Sequence, residues 1–369
     1  MTLKDRSAAA GPKRLLALDG GGIRGMMTVR ILARIETILR ERERKPSLVL
    51  ADYFDYIAGT STGAIIATCL SLGWEVSKVE AFYNNRGKEM FDKSSILKRF
   101  RYKFEDEQLS KLLQEEFKEA PTLGSDKLKT FLMLVMRNAT TDSPWPISNN
   151  PNALFNDPAS PECNLHLPLW QLVRASTAAP VYFPPEVVQI GQQDFVFVDG
   201  GITTYNNPAF QLFLMATTEP YRLNWPTGTD KMLLVSIGTG TSPDANKDLD
   251  PGDMNLLYNA STIPSALMAA ALNEQDFLCR TFGQCLAGPV LDLEVGDMIG
   301  KRGPVNPKLF SYVRYNAELT RAKLDGLELP GIDPEKVQQL DSVDGIPDLI
   351  QVGDKVAATQ VRASHFQNF

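Results

Sequence analysis

Four short apolar runs in this chain each stop at glycine, and that pattern limits the fold more than any other feature. Residues 14–18 (RLLAL) lead into Asp19-Gly20-Gly21-Gly22, and 53–58 (YFDYIA) into Gly59-Thr60-Ser61-Thr62-Gly63. Residues 195–198 (FVFV) stop at Asp199-Gly200-Gly201, and 232–237 (MLLVSI) at Gly238-Thr239-Gly240. Short apolar runs bounded by turn residues read as strands buried on both faces. The first two are followed by helical patterns. Val29, Leu32, Ile35 and Leu39 recur at three- and four-residue spacing, and 64–72 (AIIATCLSL) is apolar on nearly all sides. Strands alternating with helices predict an α/β chain with a mainly parallel sheet covered on both faces.

The rest of the chain is read more coarsely. Residues 130–136 (TFLMLVM) form a third buried strand. Residues 75–118 read as charged helix, with aromatic and basic side chains at Phe91, Phe100, Arg101, Tyr102, Lys103 and Phe104 that would suit a bilayer surface or an ordinary packed helix face. Residues 141–164, rich in Pro, Asn, Asp and Ser, are expected to be a loop. Residues 168–178 look helical, and VYFPPE at 181–186 makes a stiff turn. Asn206-Asn207-Pro208 reads as a helix start. Residues 262–282 are helical, and beyond 305 the pattern is mostly helical with a strand near 310–314. Residues 1–13 are expected to be a flexible tail, and 241–260 is the best candidate for a linker.

Composition removes several function classes. Net charge is −6, and the densest basic run, Arg40 to Lys45, is interleaved with Glu41 and Glu43. That describes a solvated helix face, so no nucleic-acid partner is expected. The four cysteines, Cys69, Cys163, Cys279 and Cys285, form no C-x-x-C pair, and there are only two histidines. Neither a disulfide framework nor a metal site is expected. No apolar stretch resembles a signal sequence or a membrane span, which points to a cytoplasmic protein touching lipid only peripherally.

Two of the glycine stops carry chemistry. Gly20 to Gly25 fits G-x-G-x-x-G, but a dinucleotide site needs an acidic residue about 20 positions on at a strand end. Glu41 and Glu43 instead fall inside a charged helix. As an oxyanion hole the same loop works, because backbone N–H groups unobstructed by side chains can face a carbonyl under attack. Arg24 adds a donor, either to that hole or to a structural partner such as a strand-end carboxylate. Gly59 to Gly63 is G-x-S-x-G between strand and helix, the setting of a nucleophile elbow, although a serine there also serves as a helix cap. A nucleophilic Ser61 needs a base. Asp199, after four apolar residues and before two glycines, fits, although Asp-Gly is also a common turn. His166 follows a loop and His365 lies near the C-terminal end of the sequence, so a Ser–His–Asp arrangement is the alternative.

Together, Asp19 to Gly25, Gly59 to Gly63 and Asp199 to Gly201, with ASTAAPVYFPP at 175–185 and Asn206-Asn207-Pro208, resemble the patatin-like phospholipase family. The resemblance implies a three-layer α/β/α fold related to the catalytic domain of cytosolic phospholipase A2, here over residues 14–320; residues 321–369 match no pattern of the family and are expected to be a helical extension packed on the same domain. The resemblance also implies a Ser61–Asp199 dyad, an oxyanion hole shaped by Gly20, Gly21, Gly22 and Gly25 with Arg24 beside it, and no metal or other cofactor. The substrate would be the fatty-acyl ester of a membrane glycerolipid. Some bacterial members are effectors switched on by a cyclic nucleotide, so the resemblance leaves a nucleotide activator and a homo-oligomer open. A non-catalytic lipid- or nucleotide-binding protein is the competing class.

Overall fold

A computed structural model describes residues 2–91, 107–180, 182–242 and 256–369. Its centre is β1 (Lys13–Leu18), whose alternate side chains go to opposite faces. Leu16 and Leu18 join one apolar cluster with helix α2 (Gly25–Arg42), and Leu15 and Ala17 join another with the helix Ala209–Thr217. Both faces of the sheet are therefore covered, giving three layers.

The remaining strands are β2 (Tyr56–Thr60), β3 (Phe131–Asn138), β4 (Ser143–Ser148), β5 (Glu186–Ile190), β6 (Gln193–Asp199), β7 (Met232–Ile237), β8 (Gln284–Ala287) and β9 (Ser311–Tyr315). Their order is β5–β6–β3–β2–β1–β7–β9–β8, with β4 also paired to β3. Strands β3, β2, β1, β7, β9 and β8 run parallel, whereas β4, β5 and β6 pair antiparallel. The mainly parallel α/β architecture expected from the sequence is present.

Two expectations are corrected. Residues 3–8 are not a flexible tail but helix α1 (Leu3–Ala8), with Thr2 and Asp5 forming a capping box. Arg6 is buried and donates to Ala51 O at 2.9 Å, Phe54 O at 3.1 Å and Asp55 Oδ1 at 3.2 Å. Lys13 closes the other end, donating to Arg6 O at 2.8 Å, Ala9 O at 2.9 Å and Ser7 O at 3.2 Å. The docking groups lie about 45 residues further along the chain, so no local pattern announces them. The segment 141–164 is not all loop, because it contains β4. Pro144 and Pro146 sit opposite Arg137 and Val135, and a strand pairing on one side only tolerates proline where the missing N–H faces outward.

Towards the C-terminal end, the helix Ile346–Gln360 packs on α2, where Arg30 bonds Asp354 at 2.7 Å. The aromatic and basic residues Phe100 to Phe104 lie outside the described residues, and Phe91 stacks on Tyr83 with ring centres 6.1 Å apart. Among the described residues no helix is long and apolar enough to cross a membrane.

Replacing Arg6 by alanine removes a charged donor from three buried or half-buried acceptors. Such losses cost about 2–3 kcal/mol. The variant should unfold at a lower denaturant midpoint with an unchanged slope. A loss under about 0.5 kcal/mol would mean that α1 does not dock in solution.

Candidate active site

The site is set by the edges of β3. β2 pairs with β3 up to Thr60 opposite Val135, and β6 takes over at the next rung, with Asp199 opposite Met136. The other edge of these residues is filled by β4, with Pro146 opposite Val135 and Trp145 opposite Met136. Strands β2 and β6 therefore lie along one edge of β3, carboxyl end to carboxyl end. Ser61 follows Thr60 directly, and its Oγ donates to Asp199 Oδ2 at 2.6 Å.

Ser61 stands on a sharp turn with φ 54° and ψ −121°, and helix α3 (Thr62–Ser71) starts at the next residue. That backbone region costs a non-glycine residue about 1–3 kcal/mol. The flanking glycines are required by close approach. A Cβ on Gly59 would collide with Gly63 O, and one on Gly63 would collide with Leu18 O. The Ser61 N–H donates to Ser176 Oγ at 3.0 Å, and Ser176 Oγ donates to Val135 O at 2.5 Å. Thr60 Oγ1 donates to Tyr205 O at 2.7 Å. The elbow is thus tied to β3 and to the segment after Asp199.

Asp199 is 5% exposed, and its Oδ1 accepts from the Gly201 N–H at 2.6 Å. Burial pushes its carboxyl from 3.8 up to about 6, while the hydrogen bonds from Ser61 and Gly201 and the Arg174 charge pull it back down. A carboxylate in that range, within hydrogen-bond reach of a hydroxyl, is placed to accept its proton at neutral pH.

The glycine loop passes beside the serine, since a Cβ on Gly20 would stand 3.3 Å from Ser61 Cβ. The Gly20 N–H is already used, donating to Asn206 O at 3.1 Å, and that of Gly25 turns back onto the loop carbonyls. Among the described residues no group accepts from the N–H of Gly21 or Gly22. Gly22 has φ +58°, and a side chain on Gly21 would run into Thr239, whose Oγ1 donates to Gly20 O at 2.8 Å.

Arg24 does not partner the strand-end carboxylate. Asp19 accepts instead from both Nη atoms of Arg314, at 2.9 and 2.6 Å. Against burial, which lowers it, Asp19 raises the affinity of the Arg314 guanidinium for its proton. Among the described residues Arg24 reaches only Gln338 O, at 3.4 Å, and burial draws its guanidinium down to about 10 while Asp19 opposes, so it stays charged at neutral pH. Arg24, Asn206, Arg314, Asp276, Glu318 and Gln338 are among the residues lining a crevice of about 950 Å³ outside the carboxyl ends of β7 and β9, the usual place for ligands in an open α/β sheet.

Neither histidine joins Ser61. His166 is exposed on a turn, and His365 Nδ1 pairs with Tyr315 OH at 2.7 Å. Sequence reasoning gave no role to Ser176 or Arg314. Ser176 lies inside the block 175–185 that was already notable, and Arg314 is a lone cation in an apolar strand.

The family model described as patatin-like phospholipase matches residues 16–213. Patatin-17 of Solanum cardiophyllum is 30% identical over 257 residues, and Patatin-T5 of Solanum tuberosum is 30% identical over 253 residues. Each alignment covers 63% of this chain and 62% of the relative, so the chain spans under two thirds of the length of these relatives. The chain is also similar to the crystal structure of VipD from Legionella pneumophila, at 14% identity and a TM-score of 0.38, covering 93% of this chain and 67% of that one.

The raised Asp199 carboxyl has a cost in stability with a definite sign. The folded state holds this proton more tightly than the unfolded chain does, so stability falls as pH rises from about 4 to about 6. Above that window the ionised group destabilises the fold by on the order of 2–3 kcal/mol. Asp199→Asn keeps the shape and removes the charge. It should be more stable than wild type at pH 8 and equal to it below about pH 4, read from denaturant midpoints at both pH values. Equal midpoints at pH 8 would refute the raised affinity.

Proposed function

Because this chain belongs to the patatin-like phospholipase family, we propose that it hydrolyses fatty-acyl esters of membrane glycerolipids through a Ser61–Asp199 dyad. The observation that carries the reading is the 2.6 Å hydrogen bond from a serine on a strained elbow to a buried carboxylate of raised proton affinity. In the first step Ser61 Oγ attacks the acyl carbon while Asp199 Oδ2 takes its proton. The carbonyl oxygen becomes an oxyanion, to which the Gly21 and Gly22 N–H groups donate. The ester C–O bond then breaks, and Asp199 returns the proton to the departing alcohol oxygen. In the second step water attacks the acyl-Ser61 ester, with Asp199 again as base. The fatty acid leaves and Ser61 regains its proton. The N-terminus of α3, which opens at Thr62, adds a favourable potential for the negative charge.

Gly20 and Gly25 have their N–H groups occupied and in this reading shape the loop through close packing alone. Arg24 contributes a positive charge at the crevice wall. Contact with the bilayer is peripheral, and the protein works in the cytoplasm.

The test is fatty-acid release from mixed phospholipid vesicles and cleavage of p-nitrophenyl butyrate. Ser61→Ala and Asp199→Asn should each lower kcat/KM by about 10³-fold or more, and His166→Ala and His365→Ala should leave it within about threefold. In wild type, kcat/KM should rise with pH through about 6 as Asp199 ionises, and that limb should vanish in Asp199→Asn. Loss in a histidine variant would favour a triad. Absence of turnover on both esters would favour a lipid- or nucleotide-binding protein. Running the assay with and without a panel of cyclic nucleotides, and at several protein concentrations, tests the activated effector and the homo-oligomer that the family resemblance leaves open.

A further inference from the structure

The pair Asn206-Asn207 looks from sequence like one helix start, but the two side chains do different things. Asn207 accounts for the helix. Its Oδ1 accepts from Ala209 N at 3.1 Å and from Ser236 Oγ at 3.2 Å. Asn206 takes no part in that. The residue is 4% exposed, and among the described residues its Oδ1 is buried without a partner while its Nδ2 donates to no group. Burying an amide oxygen without a partner works against folding, and such a group persists where it has another task.

Its position indicates the task. The backbone carbonyl of Asn206 holds the glycine loop by accepting from the Gly20 N–H at 3.1 Å. A Cβ on Gly20 would collide with Asn206 Oδ1 and would stand 3.3 Å from Ser61 Cβ, and one on Gly201 would lie 3.2 Å from Asn206 Oδ1. The carboxamide is therefore wedged between the glycine loop and the turn that follows Asp199. The absence of a side chain at Gly20 admits it. It also lines the 950 Å³ crevice together with Arg24. The N–H groups of Gly21 and Gly22, with no acceptor among the described residues, belong to the same loop.

We propose that Asn206 is a further catalytic residue, whose Nδ2 donates to the oxyanion beside the Gly21 and Gly22 N–H groups. The inference rests on the hydrolase reading above. A side-chain amide has two donors, a fixed planar shape and no charge, so it stabilises the tetrahedral oxyanion more than the ground-state carbonyl without perturbing Asp199.

The experiment compares wild type, Asn206→Ala and Asn206→Asp on p-nitrophenyl butyrate, with inhibition by an alkyl trifluoromethyl ketone that forms a tetrahedral adduct on Ser61. Loss of one oxyanion donor costs about 10²–10³-fold in kcat. Both variants should show that fall with KM within about twofold, and the ketone should weaken by the factor lost in kcat/KM. Asn206→Asp preserves shape, so it carries the test if Asn206→Ala fails to fold. Turnover within about threefold of wild type in either folded variant would overturn the proposal. So would a fall in kcat with ketone affinity unchanged, because that marks a purely structural role. A wild type that cleaves neither ester would overturn the hydrolase reading itself, whereas an active wild type with equally active variants overturns only the role of Asn206.

Discussion

One edge of β3 carries two strands in succession, and the candidate site depends on that sharing. Thr60 and Asp199 occupy neighbouring rungs because β2 ends where β6 arrives from the opposite direction. A parallel β6 beside β2 would set the two carboxyl ends in separate columns, about one strand spacing apart. Meeting end to end, they deliver a serine and a carboxylate to one point from segments 138 residues apart. The arrangement needs β4 on the far edge of β3, so that β6 can pair only on the near one, and it needs β5 to hold β6 along its outer side.

The chain contains two carboxylates at strand ends next to glycines, and their surroundings separate them. Asp19 is clamped by both Nη atoms of Arg314, which Ser236 also engages, so its charge is used up in the sheet. Asp199 is held by a hydroxyl and one backbone N–H, with the Arg174 charge a smaller influence. Burial raises the proton affinity of both carboxyls, opposed at Asp19 mainly by the Arg314 guanidinium and at Asp199 mainly by the hydrogen bonds from Ser61 and Gly201. A carboxylate held by a guanidinium serves to position the chain, whereas one held by a hydroxyl can take its proton, so the partners divide structural from acid–base duties. The ion pair also locates the glycine loop, because Asp19 is the residue from which it departs.

The α/β class and the elbow at Ser61 were legible because they rest on local necessities, whereas Asp199 entered only as one candidate base and as what the family resemblance implies. A sharp strand-to-helix turn needs small neighbours, as the close approach of Gly59 to Gly63 demonstrates, and buried parallel strands need unbroken apolar runs. What escaped the sequence depends on distant contacts. The polar segment Leu3–Ala8 is a helix because Arg6 finds acceptors between Ala51 and Asp55. The segment Ser143–Ser148 looks like a loop because of its prolines, and it is a strand that pairs on one side only among the described residues, which leaves room for prolines. Arg314 reads as an intrusion in an apolar strand until Asp19, 295 residues away, is placed beside it. Asn206 was hidden by its neighbour, since one capping asparagine is enough to explain the motif.

Ser61 at positive φ, Asp199 buried with raised proton affinity and Asn206 with its amide oxygen buried and unpartnered among the described residues are each unfavourable locally. They come from three segments, yet all lie around the junction of β2, β6 and the glycine loop. Coincidence in space of separate local penalties is the pattern expected where a fold is held in a reactive arrangement rather than relaxed. Each is restrained by contacts that do not depend on the others. Ser176 ties the elbow to β3, Gly201 and the β3 ladder hold Asp199, and the Gly20 N–H fixes the backbone at Asn206. Relaxing any one of the three therefore means breaking bonds within the sheet or its immediate turns, where cores on both faces resist movement. For the proposed reaction, that resistance would hold Ser61, Asp199 and the N–H donors in place before any substrate arrives, which lowers the reorganisation that the chemical step itself must supply.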